Sequence, residues 1–444
     1  MSHSLTSLAG KTRVSAFPWR VLLCLVGLMT AVVQGQPARE ISADPRQESF
    51  EAVWRTVKEK HFDTNYGGVD WDKVREQYAP RVGDLKSDNE LYDLLQQMLG
   101  ELRQSHFMII PPEAVIDPDA KDSANGVIGV ELKLIDGRVM ITSVKTKSNA
   151  ARGGLRPGFV IRQVDGKTVE QITEPLVKSK ILPALARLLM QRLVLARVNG
   201  KPGTSVQLVY LDALDRTRPV TIEREEQQGE MSLPLGNFPP QYTEFESKRL
   251  AGSIGYIRFN LFVISLAEKI RAAIRSMRDA PGIIIDLRGN PGGIGAMAIG
   301  IAGQLETRQL SLGTMHMRAG HINFVAFPQE NPYAGPVAIL IDGGSASTSE
   351  IFAAGLQESE RAVIIGERSP GACLPSIFQK LPTGALFQFA IGDFKTAKDT
   401  LIEGRGVVPN IEVKLNRAGL LKGRDTQLDA AIKEVQKRAR AAKK

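Results

Sequence analysis

Apolar residues recur at helical spacing near the start of the chain. Phe50, Val53, Trp54 and Val57 fall on one helical face, and Leu91, Leu94, Leu95, Met98, Leu99 and Leu102 on another. Between them, Tyr66-Gly67-Gly68 reads as a turn and Asp70-Trp71-Asp72 as a helix start. This predicts an N-terminal helical domain over residues 46–115. The period then changes. Short β-type runs at 127–134, 139–144, 159–164, 206–211 and 220–223 are separated by Gly and Asp-Gly turns, which predicts a β domain over 122–225. One helical insert, about 175–195, interrupts it. A polar, Pro-containing stretch at 226–250 reads as a linker. Beyond it strands and helices alternate: strand 254–259, helix 266–277, strand 282–287, helix 296–305, strand 337–341, helix 349–357, strand 362–366, with a later strand at 385–391. That alternation predicts an α/β domain with buried parallel strands over 240–420. Residues 427–444 read as a basic helix whose cations face solvent.

Length and charge refine this picture. A chain of 444 residues, 43% of them hydrophobic, is too long for one core and divides into several domains. With 24% charged residues it is globular. The net charge is +9, of which Lys11, Arg13 and Arg20 precede any acidic residue. Those cations lead into an almost purely apolar run at 21–33, and Gly35, Gln36, Pro37 and Ala38 follow. This is the layout of a secretory signal peptide over residues 1–36, which predicts a periplasmic or secreted protein. The apolar run is about 15 residues, short of the roughly 20 of a membrane-spanning helix. Left uncleaved, it would be an anchor. Once it is removed only Cys373 remains, so no intramolecular disulfide and no stable disulfide partner is expected. No stripe of basic and aromatic residues suggests nucleic acid as a partner.

Two glycine-rich turns follow predicted buried strands. The first is Asp286-Leu287-Arg288-Gly289-Asn290-Pro291-Gly292-Gly293. Backbone N–H groups left at the carboxyl edge of a sheet can hold a developing oxyanion. Pro291 breaks any phosphate-loop pattern. The second is Gly343-Gly344-Ser345-Ala346-Ser347-Thr348-Ser349-Glu350. Ser347 with Glu350 fits a capping box. A serine at a helix start is equally well placed as a nucleophile, since the next N–H and the positive end of the helix dipole favour negative charge there. Spacing does not choose among Ser345, Ser347 and Ser349. A serine nucleophile needs a base. Four histidines remain after residue 36: His61, His106, His316 and His321. No cluster has metal-ligand spacing, and no cofactor is implied.

The segment from Ser148 to Gly158, with Val164-Asp165-Gly166-Lys167, resembles the centre of a PDZ domain. Ile128, Gly129 and Val130 then stand where PDZ domains hold a peptide carboxylate beside an exposed strand edge. The whole order resembles the C-terminal processing peptidases and their relatives around the tricorn core protease. That order is a helical segment, Ser105-His106, a PDZ-like module, Asn290-Pro291-Gly292-Gly293, and Ser345-Ala346-Ser347-Thr348-Ser349-Glu350. The resemblance implies a multidomain α/β fold with a crotonase/ClpP-like ββα catalytic core, an N-terminal helical domain and an inserted PDZ-like β domain. It implies polypeptide substrates, with their C-termini as candidate ends. It makes Ser347 the nucleophile, and Thr348 and Gly292 the oxyanion donors. One branch of the family uses a lysine base, but the position that would carry it is Ala372. The tricorn-like branch uses serine, histidine, a second serine and glutamate. Those residues match Ser105, His106 and Glu403, the last lying before Gly406-Val407-Val408-Pro409-Asn410. His106 is then the base, with Ser105 and Glu403 orienting it. Neighbours in a regular strand face opposite ways, so this chain must be irregular at Ser105-His106. Two other readings share the fold. One is a non-catalytic binding relative, and the other an acyl-thioester enzyme, which the export signal disfavours.

Overall fold

The computed structural model describes residues 44–115, 125–177, 183–234 and 237–442. The expected signal segment and Cys24 lie outside them. The helices form where the sequence supplies caps. Helix α1 (Pro45–Lys60) begins on Asp44, whose carboxylate accepts the Arg46 N–H at 3.0 Å. Helix α2 (Trp71–Tyr78) begins on Asp70, which accepts the Lys73 N–H at 3.1 Å, and α3 (Asp88–Gly100) begins on Ser87. Phe50, Val53, Leu91 and Leu95 close into one core. That core crosses the boundary expected at residue 115. Leu374, Leu381, Phe387 and Phe389 complete it, and the strand Met108–Ile110 pairs antiparallel with Leu386–Ala390. The segment carrying His106 is therefore fastened to chain far downstream.

The middle of the chain is an antiparallel sheet ordered Val130–Ile135, Arg138–Val144, Val160–Val164, Ser205–Leu211 and Thr217–Glu223. Helices α4 (Asn149–Arg152), α5 (Val169–Val177) and α6 (Pro183–Val198) pack with it. The single helical insert expected at 175–195 is two helices. Pro183 starts the second, where its missing N–H has no intrahelical role.

The carboxyl-terminal half builds a six-stranded sheet in the order Phe245–Arg249, Gly255–Phe259, Ile283–Asp286, Val337–Ile341, Ala362–Gly366, Ile411–Glu412. The first strand pairs antiparallel and the others are parallel. Alternate residues face alternate cores. Ile257, Ile283, Ile285 and Ile339 meet α7 (Ile264–Ser276), α8 (Gly295–Gly303) and α9 (Thr348–Glu358). Tyr256, Ile284, Leu340 and Ile365 face the other way, towards α11 (Thr426–Ala441), which follows the short α10 (Arg417–Leu421). Two features differ from the expectation. The strand Phe245–Arg249 falls in the stretch read as a linker; its residues are mostly exposed, so it carries no apolar alternation. The basic helix has a second face, on which Gln427, Ala431 and Val435 are fully buried. A charge at that face should unfold the sheet, whereas a charge lost from the outer face should not. Val435→Asp is expected to cost at least about 3 kcal/mol, and Lys437→Ala less than about 0.5 kcal/mol, read as urea midpoints.

Candidate active site

Three adjacent parallel strands end at Asp286, Ile341 and Gly366, so the loops 287–293, 342–347 and 367–373 emerge side by side. Asp342 ties the first two together. Its Oδ1 accepts the Gly289 N–H at 2.9 Å and the Gly344 N–H at 2.8 Å. Lys133, from the edge strand of the middle sheet, pairs with the same buried carboxylate.

The structure separates the three serines that spacing could not. Ser345 is buried and donates to the Leu287 carbonyl at 2.8 Å. Ser349 is fully buried and donates to the Asn290 carbonyl at 2.9 Å. Both hydroxyls are structural. Ser347 alone of the three is part-exposed, and it sits at φ 55°, ψ −119°, a strained conformation for a residue with a side chain. It also caps α9, with Glu350 reaching back to its N–H at 3.0 Å. The cap and the exposed hydroxyl coexist in one residue.

The turn at 289–293 lies against it. Gly292 has φ +101°, and a Cβ there would stand 2.8 Å from the Ser347 Cβ and the Thr348 nitrogen. Only glycine permits that approach. The Gly292 N–H, however, is donated to Asn290 Oδ1 at 2.9 Å. Among the described residues the N–H groups of Thr348 and Gly293 have no acceptor. Thr348 Oγ1 donates to the Gly293 carbonyl at 2.7 Å, which holds those two residues together.

The histidine side is built from both ends of the chain. His106 has φ 60° and the following strand starts only at Met108, so the chain is irregular where Ser105 and His106 meet. Ser105 Oγ therefore lies 2.7 Å from its neighbour's Nδ1. The same Oγ donates to Glu403 Oε2 at 2.9 Å, and the Ser105 N–H donates to Oε1 at 2.8 Å. Because its own proton goes to Glu403, Ser105 Oγ accepts from Nδ1–H. That polarity leaves Nε2 as the free acceptor of the ring. Glu403 Oε2 also accepts the Cys373 N–H at 2.8 Å. One residue earlier, the Ala372 carbonyl accepts the Ser347 N–H at 2.8 Å. Ser347 and His106 thus converge on the segment Ala372-Cys373, although no hydrogen bond joins them directly among the described residues. His61, His316 and His321 lie elsewhere: His61 bonds Gln104 and Asp63, His316 pairs with Asp393, and His321 lies opposite His316 on a hairpin.

Sequence reasoning read Glu350 only as half of a cap. It is fully buried, and its carboxylate accepts Ser369 Oγ at 2.5 Å, the Gly371 N–H at 2.8 Å, the Ala372 N–H at 3.0 Å and the Ser347 N–H. Burial pushes Glu350 up to about 7 against those donors, and the nearby Glu403 adds to the rise. Burial raises Glu403 as well. Burial holds His106 down near 4, helped by the Arg192 guanidinium, so the imidazole is neutral at neutral pH. Burial, with Glu350 and Glu403, lifts the Cys373 thiol well above its ordinary value, which leaves it inert as a nucleophile. Among the described residues no group of acidic, histidine or cysteine side chains could hold a metal ion.

A strained serine at a helix start, N–H groups beside it, and a carboxylate–serine–histidine relay define a serine-type peptidase. Residues 253–413 form a peptidase family S41 domain. The family model described as "Peptidase family S41" matches residues 253–413, and that described as "Tricorn protease C1 domain" matches residues 42–100. The carboxyl-terminal-processing protease of Synechocystis sp. is 25% identical over 415 residues, spanning 91% of this chain and 90% of that protein. The carboxy-terminal processing protease CtpA of Bacillus subtilis is 25% identical over 356 residues, 79% of this chain and 70% of that one. In fold the chain resembles the photosystem II D1 C-terminal processing protease, with a TM-score of 0.58 at 21% identity over 87% of this chain and 96% of the other.

Glu350 and His106 act oppositely on stability. Glu350 titrates near 7 in the folded state and near 4.5 when unfolded. Its contribution is full below about pH 4.5 and is lost as pH rises through about 7. His106 titrates near 4 folded and near 6.5 unfolded. Its contribution is full above about pH 6.5 and is lost as pH falls through about 4. Between pH 4.5 and 6.5 the two slopes oppose each other. Urea midpoints of Glu350→Gln should therefore rise with pH across this window more steeply than those of the parent, and those of His106→Gln should fall.

Proposed function

We propose that this chain is an exported serine endopeptidase that hydrolyses polypeptide substrates through an acyl-enzyme on Ser347, with His106 as the base. One observation carries this reading. The relay from Glu403 through Ser105 to His106 ends at the segment Ala372-Cys373, which also holds the strained Ser347. Ser347 Oγ attacks the peptide carbonyl while its proton passes to His106 Nε2. Nδ1–H stays on Ser105, and Glu403 stabilises the imidazolium through that hydroxyl. The Thr348 N–H holds the oxyanion. Gly292 was the expected second donor. Its N–H is already accepted by Asn290, so Gly293 takes that part and Gly292 supplies the close approach. The C–N bond then breaks and His106 returns the proton to the leaving amine. Water repeats the attack on the ester and frees Ser347.

The core corresponds to a crotonase/ClpP-like sheet, supported by its parallel strands and their side-by-side glycine turns. The middle sheet serves as a PDZ-like module in which Ile128, Gly129 and Val130 receive a chain end. Gly129 at φ +86° supports this, since a Cβ there would stand 2.3 Å from Ser148, the residue capping α4. The names of the relatives support processing at carboxyl ends. Residues 1–36 support export to a periplasmic or extracellular space.

A fluorophosphonate probe should label Ser347, and Ser347→Ala should abolish labelling and peptide cleavage. His106→Ala should lower kcat by about 10²- to 10⁴-fold, and Glu403→Gln by a smaller factor. Gly292→Ala should lose labelling while keeping cooperative unfolding. Labelling of His106→Ala at the parental rate would remove the histidine from the mechanism. With His106 neutral down to about pH 4, the acid limb of kcat/KM should lie below pH 6. Activity appearing only above pH 9 would point to a lysine base instead.

A further inference from the structure

Helix α6 belongs to the middle module, yet one of its faces looks at the catalytic loops. Leu188 packs in one buried cluster with Ala346 and Ala372, and Leu185 joins its rim. Ala346 precedes the nucleophile, and Ala372 accepts its N–H. Positions 185, 188 and 192 follow one helical stripe, so Arg192 extends from the same face one turn further on. Gln191 fixes the roll of the helix by accepting the Leu134 N–H at 3.3 Å. The Arg192 side chain is solvent-accessible and has no hydrogen bond or ion pair among the described residues. Surrounding protein nevertheless lowers its pKa by desolvation, and its charge acts on His106. It is a cation whose charge reaches His106, with no anion partner among the described residues.

We propose that Arg192 is a specificity residue of this site, receiving a carboxylate that the polypeptide substrate carries close to the scissile bond. The proposal rests on the peptidase reading above and names its substrate class: chains with an acidic side chain, or their own terminal carboxylate, within reach of α6. A guanidinium offers two parallel N–H donors to a carboxylate. The catalytic cycle supplies a second reason. Proton transfer to His106 creates an imidazolium beside Arg192, and like charges oppose each other. A substrate carboxylate seated on Arg192 neutralises that opposition in the step where it matters. The preference should therefore be visible in kcat as well as in KM.

The test uses a peptide pool in which each position flanking one cleavage site is Glu, Gln or Lys, with free or amidated C termini, read by mass spectrometry. The full chain should cleave carboxylate-bearing peptides about 10- to 100-fold faster than their amide counterparts, the range of a charge-assisted hydrogen bond. That ratio should fall to about one in Arg192→Gln and turn towards Lys peptides in Arg192→Glu, with thermal midpoints confirming that both fold. Loss of the preference on swapping Glu for Gln identifies a side-chain carboxylate; loss on amidation identifies the chain end. A parental enzyme with no carboxylate preference, or a preference unchanged in Arg192→Gln, overturns the assignment. If the parent neither cleaves nor takes up the fluorophosphonate, the peptidase reading fails by itself. Fluorescence anisotropy of the Glu and Gln peptides on Ser347→Ala protein then decides Arg192 separately: selective binding, lost on adding Arg192→Gln, upholds it, and equal binding overturns it.

Discussion

The candidate site hangs on three consecutive N–H groups, those of Gly371, Ala372 and Cys373, held between two buried carboxylates. Glu350 takes the first two and Glu403 the third. Each carboxylate then reaches outward to one half of the site. Glu350 holds the Ser347 N–H, and Glu403 holds both the N–H and the hydroxyl of Ser105. A buried carboxylate is tolerated only when its oxygens are satisfied, and these donors satisfy them. The short segment between them therefore ties Ser347 to the Ser105-His106 pair. Burial is the main reason Glu350 is pushed up to about 7, with the nearby Glu403 adding to the rise, and burial raises Glu403 as well.

This arrangement explains how a site can stand without a lysine at residue 372. A side chain reaching out from that position would supply the base locally. Ala372 is instead buried against Leu188 and Ala346, and only its backbone takes part. On the proposed mechanism the base arrives from elsewhere, and the fold brings His106 to this segment. The helices before residue 105 share their core with residues 374–390, immediately after the catalytic segment. Pairing of Met108–Ile110 with Leu386–Ala390 holds His106 there. Packing of ordinary apolar residues thus places His106 beside this segment.

How much of this is legible without coordinates differs from element to element. The buried parallel strands are plain, because burial on both faces demands continuous apolar runs such as Val337–Ile341. The exposed edge strand Phe245–Arg249 is not, because backbone pairing rather than side-chain pattern defines it. Ser347, His106, Ser105 and Glu403 are reached by resemblance, since local spacing left three serines open. Their ranking in physical terms needed the partners of Ser345 and Ser349, which are carbonyls brought near by tertiary folding. Glu350 was visible only as a helix cap. Its other three donors come from residues 369–372, across a strand turn that no helical period describes. Gly292 carried the right sequence signal, and the hydrogen bond of its N–H to Asn290 was invisible in it.

The middle module makes the same point at larger scale. Its sheet reads as a separate domain by period, but Lys133 pairs with Asp342, and Asp342 holds both glycine turns. Glu131, two residues earlier on the same strand face, pairs with Arg258 at 2.8 Å. With α6 lying over Ala346 and Ala372, the module touches the catalytic loops from two directions. A module fastened in this way cannot move as an independent body without breaking a buried ion pair, whose separation would leave an uncompensated charge. The module and the loop carrying Ser347 must therefore share one energetic fate, and the positions most sensitive to that coupling are Lys133 and Asp342.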